Sequence, residues 1–101
     1  MTITSLNTQA AALASAERMA VAYPGLPGAY LTSHSIAPNE VHALVDCPSH
    51  FEAWREALDI PTDAVTVDHV DDRVTLEFSM LRDGVEWRVF CVSYLGAGGA
   101  V

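Results

Sequence analysis

Two runs of strict alternation dominate the C-terminal half of the chain. Val74, Leu76, Phe78 and Met80 fall on one side, with Thr75, Glu77 and Ser79 between them. Val85, Trp87, Val89 and Cys91 repeat the pattern, with Glu86 and Arg88 between. Such period-2 alternation predicts strands with one dry face. Asp83-Gly84 joins the runs, and this dipeptide tolerates the positive φ angles of a two-residue type I′ turn. The expected hairpin has a defined register, with Trp87 toward the core and Glu77 diagonal to Arg88.

Residues 64–70 predict a further strand, with Val65 and Val67 inward and a turn through Asp71-Asp72. Residues 29–37 and 40–46 predict two more, joined near Pro38-Asn39, with Val41, Ala43 and Val45 alternating with Glu40, His42, Leu44 and Asp46. Between these groups Phe51, Trp54 and Leu58 recur at i, i+3 and i+7, the stripe of a helix over 49–59 buried on one side. Ser49 and Glu52 have capping-box spacing at its start, and Pro61 stops it. The Ala-rich residues 5–22 predict an N-terminal helix, with Leu6, Leu13, Ala20 and Tyr23 near one face. Alanine buries little surface, so this helix is expected to dock weakly. Pro24-Gly25-Leu26-Pro27-Gly28 ends it as a linker.

The expected fold is α+β and two-layered. A five-stranded, largely antiparallel sheet carries one helix on its core face, and the N-terminal helix is extra. Residues 1–28 form the helix and linker, 29–94 a single domain, and 95–101 a flexible tail.

Composition narrows the function classes. The 101 residues suit one domain and 50% are apolar, so a packed core is available without metals or disulfides. Thirteen acidic residues face five Arg and no Lys, for a net charge of -8. Binding to phosphates needs clustered cations, so direct nucleic-acid binding and anionic membranes are disfavoured as partners. No apolar run approaches the roughly 18–20 residues of a membrane-spanning helix. The N-terminus lacks a basic, leucine-rich leader pattern, and two cysteines do not make a disulfide framework. A reducing, cytoplasmic location is expected.

Candidate chemistry is sparse. His42, Cys47 and His50 are metal-ligand types, but zinc wants three or four converging ligands, and Cys47-Pro48-Ser49-His50 supplies only a C-x2-H fragment. They are weak candidates, and no cofactor is expected. Cys47 precedes a helix N-terminus, where the dipole favours a thiolate, yet no orienting group or oxyanion site accompanies it. It reads more simply as a small buried residue, and Cys91 as core. Asp68, Asp71 and Asp72 crowd a turn, and Glu77 has Arg88 as a cross-strand partner. No phosphate loop, nucleophile elbow or zincin motif occurs. An enzyme is not expected.

One feature departs from a plain solvated sheet. Leu81, Arg88, Phe90, Val92 and Tyr94 share the outward parity of the last hairpin, and a wet face should carry less Phe and more charge. The N-terminal helix, a second copy of the chain, or another protein would cover it.

The run Phe51-Glu52-Ala53-Trp54-Arg55-Glu56-Ala57-Leu58-Asp59-Ile60, followed by a Val-Thr-Val strand, resembles small α+β proteins of GC-rich actinobacteria and their mobile elements. The resemblance spans about residues 29–94 and implies a cytoplasmic accessory role, with no activity to carry over. The expected function is a non-catalytic protein-interaction or regulatory module, homodimeric or bound to another protein. An acidic mimic of nucleic acid that inhibits a DNA-binding protein is the alternative, and a small metal- or Cys-dependent enzyme the third.

Overall fold

The computed structural model describes residues 4–94. The predicted flexible tail, 95–101, lies outside them. A 3-10 turn, Leu6–Gln9, leads into α1 (Ala10–Ala22). There follow β1 (Tyr30–His34), β2 (Ala37–Val45), α2 (Pro48–Ala57), a 3-10 turn at Thr62–Ala64, β3 (Thr66–Val70), β4 (Arg73–Arg82) and β5 (Val85–Tyr94). The fold is α+β, with one sheet in the order β1-β2-β5-β4-β3.

Three of the four pairings are antiparallel, but the central one, β2 with β5, is parallel. The sheet is therefore mixed. The crossover from β2 to β5 runs through α2, β3 and β4, long enough to return the chain in the same direction. The final hairpin forms as its alternation dictates. Arg82 pairs with Val85, and Asp83 (φ 55°) and Gly84 (φ 77°) form the left-handed pair between them.

The core lies on one face. Val85, Trp87, Val89 and Cys91 of β5 are wholly buried, with Phe78 of β4 and Val41, Ala43 and Val45 of β2 beside them. Helix α2 lays Phe51 edge-on against Phe78, ring centroids 5.4 Å apart, and Trp54 against Trp87 at 6.2 Å. Helix α1 joins the same face. Its buried stripe is Ala12, Ser15 and Met19, whereas Leu6 and Leu13 are exposed, so the expected stripe is rotated. The reason is polar: Trp87 Nε1 donates to Ser15 Oγ at 2.9 Å, and a buried indole N–H needs such a partner.

Three local expectations are corrected. The β1–β2 turn falls on Ser35-Ile36, with Pro38 and Asn39 already inside β2 and a register irregularity between Thr32 and His34. The capping box does not form. Cys47 is the N-cap, Pro48 takes the first turn, where a missing N–H costs nothing, and Glu52 pairs with Arg55 instead. Val67 is 65% exposed, because β3 is an edge strand lying outside the helix layer.

Helix α2 ends in a left-handed residue, Asp59 (φ 57°). Its N–H bonds Glu56 O at 3.2 Å, and the Ile60 N–H reaches back to Arg55 O at 3.0 Å, which together make a Schellman motif. Glycine is the usual occupant there, so Asp59 carries a backbone cost.

Candidate functional site

The outer sheet face is assembled from all five strands by register. One row reads Tyr30, Leu44, Phe90, Glu77 and Thr66 across the sheet. The next reads Thr32, His42, Arg88 and Ser79, and on the other side of the Phe90 row Val92 pairs with Thr75. Leu44, Phe90 and Val92 are half-buried by their neighbours alone, since both helices pack on the opposite face. Tyr30 remains 69% exposed and Tyr94 60%. The N-terminal helix therefore does not cover this face.

Arg88, Phe90 and Val92 form the centre. Leu81, paired with Glu86, and Tyr94, paired with Arg73, lie near opposite ends of the hairpin. Sequence reasoning missed Leu44 and Tyr30, because nothing local signals that β2 lies parallel beside β5. The outward parity of Leu44 in its strand was the available clue.

A polar fringe borders the apolar band. Arg88 Nε donates to Glu77 Oε2 at 2.9 Å, the diagonal pair expected from the turn, and this carboxylate raises the guanidinium pKa. His42 Nε2 lies 3.0 Å from Glu40 Oε1. His42, Glu77, Arg88 and Phe90 together bound a shallow depression of about 210 Å³. The Arg88–Glu77 charges pair along the sheet and leave the apolar band beside them free for contact.

The remaining candidates do not converge. His42 belongs to the outer face, whereas Cys47 and His50 stand at the start of α2. Among the described residues no group of three or more His, Cys, Asp or Glu is placed to hold a metal ion. Cys47 is not the buried residue expected: it is half-buried at the N-cap, its Sγ 3.2 Å from Ser49 Oγ. That hydroxyl, then the His50 N–H, hold the thiol below its ordinary pKa. His50 Nδ1 is buried with no hydrogen-bond partner among the described residues, so no Cys–His pair is assembled through it. Cys91 is wholly buried, and burial pushes its thiol pKa up. Acidic groups are divided: Asp71-Asp72 lie at one end of β4, Asp83 at the other, and Glu52 and Glu56 on exposed positions of α2. No described helix is long and apolar enough to cross a membrane.

No protein-family model matches the chain, and no curated protein or solved structure matches it either.

Proposed function

We propose that this protein is a non-catalytic interaction module that pairs with a second copy of itself through the outer sheet face. The observation that carries the reading is the half-buried Leu44, Phe90 and Val92 band on a face that neither helix covers. The five strands, two of five residues and three of nine or ten, offer roughly 600 Å² at about 4.8 Å spacing. Together, a pair of these faces would bury about 1,200 Å² in total, the lower end of a standard interface. Two such faces stack as a sandwich about 10 Å apart.

The charge at the contact is small enough to accept a second copy. The outer face carries Glu40, Glu77, Glu86 and Asp68 against Arg73 and Arg88, only -2 of the net -8. Most of the net -8 lies away from the contact. Repulsion between two such copies is long-ranged and screened by salt. Pairing should therefore tighten as salt rises from about 20 to 200 mM, over which the Debye length falls severalfold. The free thiols Cys47 and Cys91 suit a reducing, cytoplasmic setting.

Sedimentation equilibrium tests the reading. The wild-type protein is expected to pass from monomer to dimer with rising concentration, and Phe90→Asp to stay monomeric with an unchanged circular dichroism spectrum. A wild-type chain that remains monomeric at millimolar concentration and moderate salt would overturn it.

A further inference from the structure

On the helix side, well away from the outer face, a cleft of about 310 Å³ opens between the C-terminal half of α1 and the 24–29 linker. Its walls include Ala20, Tyr23, Leu26, Pro27 and Leu31, and its floor is Met19 with the two indoles of Trp54 and Trp87. No lining side chain bears a charge. We propose that this cleft binds a small, neutral, largely aromatic molecule of about two fused rings.

Three observations carry the assignment. The first is capacity: an apolar cavity of roughly 150 Å³ holds a benzene, and this one is about twice that size. Small residues leave the space, since Ala16, Ala20, Gly28 and Ala29 line it where larger side chains would fill it. A Cβ built on Gly28 would meet nothing within 4 Å, and its φ does not require glycine.

The second is polarity. Both indole N–H groups are already satisfied, Trp87 by Ser15 Oγ and Trp54 by Pro27 O, each at 2.9 Å. The floor therefore presents no unpaired donor that would demand water or a charged ligand.

The third is rigidity. The bond from Trp54 ties the linker to α2, while Arg82 stacks over the Tyr23 ring at 5.2 Å and donates to its hydroxyl at 3.2 Å. Two opposing walls are thus fixed to different elements before any ligand arrives, and a pre-formed cleft loses little order on binding.

The two indoles are the only tryptophans in the chain, so their Nε1–H resonances report on the site directly. The experiment titrates 2-naphthol, and separately its anionic counterpart 2-naphthoate, into 15N-labelled full-length protein. 2-Naphthol is expected to shift both indole signals saturably, with a Kd on the order of 0.1 mM for so small a ligand. Naphthoate should bind at least about tenfold more weakly, because the cleft offers an anion no partner. Ala20→Phe, on the exposed side of α1, and Gly28→Leu each fill the space and should weaken 2-naphthol about tenfold or more while keeping a folded amide spectrum. No saturable shift at either indole overturns the assignment, as does equal affinity for the anion. Wild-type affinity in whichever filled variant remains folded overturns it too.

Discussion

Along β5, Val85, Trp87, Val89 and Cys91 are wholly buried, while Arg88, Phe90, Val92 and Tyr94, one residue out of step, face no helix. The two sets share a backbone and a register, and each carries a large aromatic and a valine, although the second also holds Arg88. What separates them is what lies above. Trp87 has Trp54, and Ser15 accepts from its indole, whereas Phe90 has only Leu44 and Glu77 beside it in its own sheet. Apolar alternation picks out the core face, but it does not say what becomes of the other. The helices choose the face that offers their own apolar stripes a partner, and the second face is left for association.

The comparison breaks most visibly at its two large aromatics. Trp87→Ala removes a buried indole and its bond to Ser15, and should cost about 3–5 kcal/mol of stability by denaturant titration. Phe90→Asp should cost the monomer only about 1–2 kcal/mol, from a carboxylate opposite Glu77 in a strand, since the position is partly wet and unpacked from above. Equal losses at both positions would mean that the two faces are not distinct. Ser15→Ala separates polar from apolar support on the dry face. It leaves the Trp87 N–H buried and unpaired, and should cost about 1–3 kcal/mol although only one oxygen is lost.

The hairpin, the α2 stripe and the strand count were legible in the sequence because each is fixed by neighbours within about ten residues. Asp83-Gly84 set the register, and from it the Glu77–Arg88 pair followed. The parallel join of β2 to β5 was not legible. It spans a crossover of two strands and a helix, and its pairing energy is the same for many partners. With that join hidden, Leu44 and Tyr30 could not be placed beside Phe90, and half of the candidate surface went unseen. The α1 stripe was misjudged for a related reason. Leu6 and Leu13 outrank Ser15 in hydrophobicity, but Ser15 is the residue that a distant tryptophan needs.

Smaller effects sharpen the contrast. Asp59→Gly relieves the left-handed C-terminus of α2, and thermal unfolding should show a gain of about 0.5–1 kcal/mol. Because α2 rests on the dry face, dimer affinity should not move. The cysteines offer a chemical version of the same comparison. Cys47, at the rim with its pKa lowered by Ser49 and the His50 N–H, should react with iodoacetamide in the native protein. Ser49→Ala should slow it and shift its rate profile to higher pH. Cys91, buried with its pKa raised, should react only after unfolding.

Hydroxyl-radical footprinting read at Trp87 and Phe90 over a range of protein concentrations tests the two-faced sheet most directly. The account predicts that Trp87 is protected at every concentration, while Phe90 is modified in dilute solution and becomes protected as copies associate. Modification of Trp87 in the dilute native protein, or a Phe90 signal that never changes with concentration, would contradict it.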